Sequence, residues 1–390
     1  MDAASLIARI DAAAPAAMKR HGVTQAAAGV LLAGERAVRG FGAEPETTFR
    51  IASITKPLVA TLALRLVEEG RLSLDEPLEG LRLPGDGVTL RHLLTHQAGL
   101  AGDRRASLAE FGDGDDALER LAAEEAIAGP VGPGELFAYS NYGYWLVAAV
   151  TARAAGTTFE DALQSYVLEP LGMGRTGFVP AEPSVPAPGY PRARRSSGGL
   201  FSCVDDLLQF AEHLLGGPGP LGEESLAAMR NPLVPLDPAG DFGLGLFLWR
   251  GRTRPTVEHP GDIVGFRSHL VLVPPERLAV VLLAAGERGR SFTEELLEAA
   301  GLGIELPPEV GVAPNELARL AATYSDPIGH VVIVTVRDGG LDFSTQDDPA
   351  VHFRPAAPEW FVARDGDDRG DVAYFPRDGL LRYGWLLARQ

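Results

Sequence analysis

The strongest constraint on the fold of this chain is a pair of apolar segments around Pro275. His269 to Val273 and Leu278 to Ala284 consist mostly of valine, leucine and alanine, and Pro274-Pro275-Glu276-Arg277 joins them. Short apolar runs bounded by turn-forming residues are typical of β-strands. The sequence therefore predicts an antiparallel hairpin at this point of the chain.

Helix and strand patterns alternate at the start of the chain. Ala3 to Met18 has the pattern of a helix, and a second helix is predicted from Pro57 to Glu69, with Gly70 as its C-cap. Between these helices, Ala27 to Leu32 and Arg36 to Gly40 are predicted to be paired strands. A sheet edge is therefore expected early in the sequence.

The chain is long enough for two domains. Its 390 residues, of which 46% are hydrophobic and 22% charged, exceed one typical domain and can bury a sizeable core. The proline-rich segment 307–314 has the composition of a linker. We therefore expect one domain at 1–306 and a smaller one at 315–390.

The smaller domain has the pattern of an antiparallel β-structure that follows one short helix. Short alternating segments are separated by turn residues. The helix is predicted at Glu316 to Tyr324, the strands at Val331 to Val336, Leu341 to Ser344, Trp360 to Ala363, Val372 to Phe375 and Leu380 to Leu387, and the turns at Asp338-Gly339-Gly340, Asp365 to Gly370 and Asp378-Gly379. Covering a cleft of the first domain, homo-oligomerisation and structural support all remain open as its role.

Charge and hydropathy exclude several classes of partner. The net charge of −17 repels phosphate backbones and anionic lipids, and the longest basic cluster is Arg192 to Arg195. No apolar run approaches the ~20 residues that span a bilayer, and the start of the chain, with Asp2 and Asp11, lacks the apolar core of a signal peptide. We expect a cytoplasmic protein that binds neither nucleic acid nor membrane.

One lysine is the best indication of chemistry. All 35 basic residues except Lys19 and Lys56 are arginines, and Lys56 lies three residues after Ser53. An arginine cannot lose its proton in a protein, whereas a buried lysine can become a neutral amine that accepts one. The predicted helix places Ser53 at its start and Lys56 in its first turn, on one face. A bias toward arginine codons explains the scarcity of lysine equally well, so the Ser-x-x-Lys motif needs partners.

Other reactive side chains have weaker patterns. His92 and His96 lie one turn apart on a short predicted helix, a spacing that can hold a metal, but no suitable third ligand is near in the sequence, and His96 also suits a helix C-terminus. Cys203 is the only cysteine, which excludes internal disulfides and favours a small core residue. We therefore expect no metal and no cofactor.

Two further segments carry candidate site residues. Tyr139 and Asn141 lie in a bend before an apolar helix, where a tyrosine is usually a packing residue but beside a Ser-x-x-Lys can act as a base. His259-Pro260-Gly261 precedes the hairpin, and a glycine there lets a substrate lie close along the strand. A histidine alone at this position is more often structural.

Together these segments resemble a known family. Ser53-Ile54-Thr55-Lys56, Tyr139-Ser140-Asn141 and His259-Pro260-Gly261 are similar to the three motifs of the serine β-lactamase and D-alanyl-D-alanine carboxypeptidase superfamily, on its class C side, which includes penicillin-binding proteins and family VIII esterases. The likeness spans about residues 10 to 300. The segments that reinforce it are Thr48 to Ile51, Thr89 to Leu100, Leu168 to Met173 and Ser197 to Ser202.

The resemblance implies a fold and a set of roles. It implies an α+β fold, with an antiparallel sheet flanked by helices plus an all-helical region, and a lipocalin-like C-terminal β-domain. It makes Ser53 the acyl-accepting nucleophile, with Lys56 and Tyr139 moving its proton. The implied substrate contacts are Asn141, His259, Gly261 and Asp262, with the backbone N–H groups of Ser53 and Asp262 as the oxyanion hole.

Two departures from the family pattern bear on the substrate. His259 replaces a lysine and Asp262 replaces a small hydroxyl residue, so both changes remove help for a substrate carboxylate, which Arg267 restores only if it points inward. We therefore expect a serine hydrolase acting on small esters or peptide-like amides, including those with D-residues. The alternatives are a β-lactamase or D-Ala-D-Ala carboxypeptidase, and a binding or sensor protein that does not turn over.

Overall fold

The computed structural model describes residues 2–101, 111–286, 289–346, 349–366, 368–376, 379–382 and 385–390. Ten strands precede the proline-rich segment, and eight of them form one antiparallel sheet. These strands are β1 (Val23–Leu32), β2 (Glu35–Phe41), β3 (Phe49–Arg50), β4 (Phe201–Ser202), β5 (Val234–Asp237), β6 (Gly240–Phe242), β7 (Phe247–Trp249), β8 (Thr256–Ile263), β9 (Phe266–Val273) and β10 (Leu278–Gly286). The order in the sheet is β2-β1-β10-β9-β8-β7-β6-β5, and β3 pairs with β4 separately.

Helices cover both faces of this sheet. They are α1 (Ala3–His21), α2 (Thr55–Glu68), α3 (Leu90–Leu94), α4 (Ala117–Ala122), α5 (Asn141–Ala155), α6 (Phe159–Leu163), α7 (Arg195–Gly198), α8 (Val204–Leu214), α9 (Glu223–Arg230) and α10 (Gly289–Ala299). One apolar core lies between the sheet and helices α1 and α10. A larger core joins the opposite face to α8 and to the helical region around α2 and α5.

The predicted hairpin is the centre of the sheet. β9 and β10 pair directly across the turn, with Val273 opposite Leu278, and all their residues except Gly286 are buried. Strands that are buried on both faces lose the alternation of apolar and polar residues, which is why these segments are continuously apolar. The N-terminal strand pair is also confirmed, since β1 pairs with β2 on one side and with β10 on the other.

Helix ends differ from the sequence predictions by up to one turn. The helix predicted from Trp145 begins at Asn141, because the Ser140 hydroxyl caps it by accepting the Gly143 N–H at 3.1 Å. Ser53 lies just before α2, in a short 3₁₀ turn at Ala52–Ile54, rather than in the helix itself.

The C-terminal segment forms a closed antiparallel barrel after one short helix. The helix is α11 (Pro314–Leu320), and the strands are β11 (Thr323–Ser325), β12 (Val331–Arg337), β13 (Gly340–Ser344), β14 (Val351–Ala357), β15 (Trp360–Ala363), β16 (Val372–Tyr374), β17 (Gly379–Arg382) and β18 (Trp385–Arg389). A closed barrel leaves no unpaired sheet edge. Its interior is a separate apolar core that contains Phe343, Phe353 and Phe361.

The barrel contains the predicted strands, adds β11 and β14, and divides the predicted strand Leu380 to Leu387 into β17 and β18. Pro355 lies inside β14, and proline weakens a strand pattern, so that segment was not predicted. β11 occupies the end of the predicted helix Glu316 to Tyr324. The predicted turns at Asp365 to Gly370 and at Asp378-Gly379 lie partly outside the described residues. The domain boundaries at 306 and 315 stay a prediction.

Among the described residues, an apolar cluster and an ion pair contribute to the contact between the barrel and the rest of the molecule. Leu381 and Leu386 pack in an apolar cluster with Phe137, Leu236 and Phe242. On another side, Arg290 of α10 forms an ion pair with Asp371. Among the described residues, no helix is both long and apolar enough to cross a membrane.

Candidate active site

Ser53 is held in a strained turn at the centre of the molecule. The preceding residue, Ala52, has a φ of 45°, a left-handed conformation that is rare for a residue with a side chain. Ile51 fixes the start of the turn, because its N–H donates to the Leu200 carbonyl at 2.9 Å and its carbonyl accepts from Ser268 Oγ at 2.7 Å. These two hydrogen bonds therefore fix the position of the backbone that carries the serine hydroxyl.

Lys56 lies in the first turn of α2 and is fully buried. Its ammonium Nζ lies 2.9 Å from Ser53 Oγ and donates to the Ser197 carbonyl at 2.7 Å. Nζ also lies 4.9 Å from the ring centroid of Tyr139 and 5.7 Å from that of Tyr144. The predicted contact between the serine and the lysine is present in the structure.

Tyr139 brings a second titratable group to the same hydroxyl. Its phenol oxygen donates to Ser53 Oγ at 3.1 Å. The ring is stacked on His96, with centroids 4.2 Å apart, and faces Phe247 at 6.5 Å. His96 is buried and its Nδ1 accepts the Ser140 N–H at 3.0 Å, so the imidazole fixes both the ring and the backbone of this segment.

His96 is therefore a packing partner of Tyr139, whereas His92 has a different structural role. Burial, with the Lys56 charge nearby, lowers the pKa of His96 well below its usual value, so the ring is neutral. His92 Nδ1 accepts the Thr89 N–H at 3.2 Å and closes a capping box at the start of α3. The Nδ1 atoms of both histidines thus accept hydrogen bonds from the backbone.

Asn141 and the β8 strand complete the surroundings of the serine. Asn141 is the first residue of α5 and lines the same cavity as Ser53 and Tyr139. A Cβ atom on Gly261 would lie 2.3 Å from the Ile51 carbonyl oxygen and 2.2 Å from Ser268 Oγ. Only glycine lets β8 come this close to the turn that carries Ser53. This close approach joins two backbone segments, and the predicted approach of a substrate along the strand stays a prediction.

His259 is a neutral side chain in this structure. Its Nδ1 lies 2.7 Å from the Pro260 carbonyl, so Nδ1 carries the proton and donates it, and the buried Nε2 has no hydrogen-bond partner among the described residues. Burial, followed by repulsion from Lys56, lowers its pKa to about 3. His259 therefore brings no positive charge to the cavity at neutral pH.

Asp262 and Arg267 form an ion pair at the end of the hairpin. Arg267 Nη1 donates to Asp262 Oδ2 at 2.9 Å, and the arginine side chain is buried while the aspartate is mostly exposed. Arg267 does face the cavity, as the sequence left open. Its charge is nevertheless already shared with a carboxylate.

The cavity at Ser53 has a volume of about 420 Å³, and it is lined by Ser53, Tyr139 and Asn141 and by residues of the barrel. Its apolar wall consists of Leu236, Phe247, Trp249, Ile304, Val372 and Leu381. Its charged wall consists of Asp237, Arg252, Glu258, Asp262, Arg267, Arg290, Glu294 and Asp371. The barrel contributes to both walls, through Val372 and Leu381 on one and through Asp371 on the other.

A buried charge network supports the charged wall. Arg252 donates to Glu258 at 2.8 Å and to Glu294 at 2.8 Å, and His269 lies 3.4 Å from Glu258. Burial raises the pKa of both glutamates, but the Arg252 charge and its hydrogen bonds outweigh this, so both pKa values lie below the usual range. One guanidinium thus holds two carboxylates in their charged forms.

Several features of the site left no signal in the sequence. The Ser197 carbonyl that binds Lys56, the stacking of His96 on Tyr139 and the barrel residues in the cavity wall all depend on contacts between distant segments.

Cys203 has the role that the sequence predicted, because burial raises the pKa of its thiol to about 11 and keeps it protonated.

The arrangement suits nucleophilic catalysis. A serine hydroxyl lies within hydrogen-bond distance of both an amine and a phenol, at 2.9 and 3.1 Å. Either group, when it lacks its proton, can take one from the hydroxyl as it attacks a carbonyl carbon. The positions of Ser53, Lys56 and Tyr139 agree with the roles predicted for them, and those roles remain a proposal.

Comparison with known proteins places this arrangement in a group of hydrolases. The Beta-lactamase family model matches residues 10–303. Penicillin-binding protein 4 of Amycolatopsis lactamdurans is 28% identical over 334 residues, covering 73% of this chain and 86% of that protein. Esterase EstB of Burkholderia gladioli is 34% identical over 301 residues, covering 59% and 75%. A crystal structure of SurE with D-Leu has a TM-score of 0.76 and 25% identity, covering 98% of this chain and all of that one, so the likeness includes the barrel.

We predict that Gly261→Ala disrupts the site. The added methyl would lie 2.3 Å from the Ile51 carbonyl oxygen, so either β8 or the serine turn must move, at a cost of about 1–3 kcal/mol. Thermal unfolding and ester hydrolysis should both report the loss. Gly174→Ala is the control, since nothing lies within 4 Å of its added Cβ. Equal activity in the two variants would contradict the close-approach argument.

We predict that Arg252→Leu destabilises the protein in a pH-dependent way. The variant leaves Glu258 and Glu294 buried without their shared cation, which costs about 3–5 kcal/mol at neutral pH. Because Arg252 lowers the pKa of both carboxyls, its stabilisation is present above their unfolded pKa and is lost as pH falls below it. Urea unfolding should therefore show a large deficit at neutral pH and a smaller one near pH 4.

The matched control for this experiment is Arg254→Leu. Arg254 pairs with Glu276 at the surface, where an ion pair contributes little. A deficit in Arg252→Leu that stays constant between neutral pH and pH 4, or that Arg254→Leu reproduces, would contradict the assignment.

Proposed function

Because the chain belongs to the β-lactamase family, we propose that it is a serine hydrolase that works through an acyl-enzyme on small esters or peptide-like amides. The observation that carries the proposal is the position of Ser53 Oγ, which lies 2.9 Å from Lys56 Nζ and 3.1 Å from the Tyr139 phenol. Similarity to a penicillin-binding protein and to an esterase supports a hydrolase acting on acyl compounds.

In the proposed acylation step, Ser53 Oγ forms a bond to the substrate carbonyl carbon. Its proton passes to Lys56 or Tyr139, which later gives a proton to the departing alcohol or amine as the bond to that group breaks. Lys56 is suited to this because it is fully buried and held by the Ser197 carbonyl, so the amine stays aimed at the serine. Stacking on His96 similarly limits the motion of the Tyr139 ring.

The negative charge that develops on the carbonyl oxygen needs donors near the serine. We propose the backbone N–H groups of Ser53 and Asp262 for this role, with Asn141 contacting the acyl side of the substrate. One such donor contributes roughly 3–4 kcal/mol in comparable sites. The contact of Gly261 with Ile51 keeps the two backbone segments close together.

Water then attacks the acyl-enzyme and releases the acid, and Ser53 recovers its proton.

The charges of the cavity argue against a substrate carboxylate. His259 is neutral, with a pKa of about 3, and Arg267 is paired with Asp262 at 2.9 Å. A carboxylate placed here would meet no uncommitted cation on β8 or β9. Hydrolysis of β-lactams or of D-Ala-D-Ala ends is therefore expected to be weak, and esters or amides without that carboxylate are favoured. The similar SurE structure contains D-Leu, which supports testing D-residues.

The non-catalytic alternative differs in one observable step. A sensor protein would acylate Ser53 and retain the acyl group, since its site would lack a means to activate water. The joint presence of Lys56 and Tyr139 at the hydroxyl favours turnover. Cytoplasmic location and self-association of the chain also remain proposals.

The test of the proposed function is a pre-steady-state assay with p-nitrophenyl acetate and butyrate. The wild-type protein should show a burst followed by turnover, and intact-protein mass should reveal the acyl group. Ser53→Ala should remove both, with a rate loss of at least about 10³-fold. Labelling without turnover would favour the sensor alternative, and hydrolysis that survives in Ser53→Ala would remove Ser53 from the mechanism.

We predict that Lys56→Arg loses most of the acylation rate. The variant keeps the positive charge, but a guanidinium cannot accept a proton, so the rate should fall by about 10²–10⁴-fold. Stopped-flow measurement of the burst tests this. Lys19→Arg is the matched control, because Lys19 is the other lysine and lies exposed near the end of α1. Full activity in Lys56→Arg would contradict a proton-transfer role.

A further inference from the structure

An acidic side chain with no assigned role faces the cavity at Ser53. Asp237 is the last residue of β5, and it lines the same cavity as Ser53, Tyr139 and Asn141. The residue is only 9% exposed. A carboxylate that is this buried in a protein is normally paired with a cation or strongly hydrogen-bonded.

Asp237 has no such cation. Its Oδ1 accepts the Ala239 N–H at 2.6 Å, within the turn that joins β5 to β6. Among the described arginines, lysines and histidines, none forms an ion pair with it, whereas nearby Asp241 is paired with Arg250. An asparagine would form the same turn bond without burying a charge. The turn therefore explains the conformation of the Asp237 side chain, but it does not explain why this residue is an aspartate.

The other charges of the cavity are already committed. Of the described residues that line it, five carry carboxylates and three carry guanidiniums. Arg252 is shared by Glu258 and Glu294, while Arg267 and Arg290 each hold one aspartate. With His259 neutral, carboxyl groups outnumber guanidiniums among the described residues of the cavity wall. Such a surface attracts a cationic group and repels an anionic one.

The barrel adds a second buried carboxylate and reduces contact with water. Asp371 is 6% exposed, and although Oδ1 faces Arg290, its buried Oδ2 has no hydrogen-bond partner in the part of the chain that the structure describes. Val372 and Leu381 extend the apolar wall beside Leu236 and Trp249. Charge-assisted hydrogen bonds are stronger where water is scarce. The walls thus combine carboxylates with aliphatic and aromatic surface.

The titration of Asp237 fits a role in binding. Burial raises its pKa to about 7, against the effects of the backbone hydrogen bonds from Ala239 and Gly240 and of the nearby Arg250 charge, so the free protein holds this group partly protonated at neutral pH. A bound cation would favour the charged form of the carboxyl. The Asp237 carboxyl can therefore lose its proton when a cationic ligand binds.

We propose that Asp237 anchors the ammonium group of the substrate, so that the cavity takes esters or amides of amino acids that have a free amine and an apolar side chain. This deepens the proposed function and rests on it, because the same Ser53 would attack the amino acid carbonyl. The ester or amide bond breaks, the alcohol or amine leaves with a proton, and water later releases the free amino acid or peptide.

The test compares free and blocked amines. We would measure hydrolysis of D- and L-leucine methyl esters and of their N-acetyl forms, with p-nitrophenyl acetate as a neutral reference. In wild type, kcat/KM should be at least about tenfold higher for a free-amine ester than for its acetylated form. Asp237→Asn should lower kcat/KM for the free-amine ester by about 10- to 100-fold, chiefly through KM, and leave the reference within about twofold.

Asp241→Asn is the matched control, because it removes one negative charge from the same pair of strands but lies outside the cavity wall. The proposal is overturned if Asp241→Asn lowers the free-amine rate as much as Asp237→Asn, or if the ratio of free to acetylated substrate is the same in wild type and Asp237→Asn. Either result, with Ser53-dependent hydrolysis intact, would leave the proposed function standing.

A binding measurement covers the case of slow turnover. Calorimetry with Ser53→Ala should detect D- or L-leucinamide binding, and the double variant with Asp237→Asn should bind it at least about tenfold more weakly. Equal affinity of the single and double variants for leucinamide would also overturn the proposal. Loss of all Ser53-dependent hydrolysis, together with Asp237-dependent leucinamide binding, would instead reject the proposed function and retain the ammonium site.

Discussion

The close contact between β8 and the turn that carries Ser53 is the constraint on which the site depends. Gly261 has no space for a side chain because the Ile51 carbonyl lies against it, and Ser268 donates to that same carbonyl at 2.7 Å. These contacts bring the sheet to the helical region at the point where chemistry is proposed. A left-handed Ala52 is tolerated because this packing over-determines its position.

The sheet and the helical region each supply what the other lacks. The helical region provides the hydroxyl, the amine and the phenol, held by the Ser197 carbonyl and by the ring of His96. The sheet provides part of the cavity wall and four of its eight charged residues. Because Arg252 holds two glutamates, this wall keeps its shape while remaining acidic. Positioning and substrate preference are therefore carried by different parts of the fold.

Local patterns in the sequence predicted local structure well. The β9–β10 hairpin is continuously apolar, and the spacing of Ser53 and Lys56 fixes their contact within one turn of chain. Contacts between distant segments leave no such pattern. Nothing in the sequence around His96 indicates that it stacks on Tyr139, and β14 was missed because Pro355 contradicts a strand that the closed barrel nevertheless accommodates. The sequence also does not indicate that barrel residues line the cavity, because this too depends on contacts between distant segments.

The effect of having His259 in place of a lysine depends on the charges around it. Had the cavity held free arginines, a neutral histidine would have changed little, because another cation could take a carboxylate. Here Arg252, Arg267 and Arg290 are all paired, and Asp237 is buried without a counter-ion. The loss of a cation at His259 and the surplus of carboxylates act in the same direction. Both favour a substrate that is neutral or positively charged near its reacting carbonyl, which is the reverse of a site built for a carboxylate.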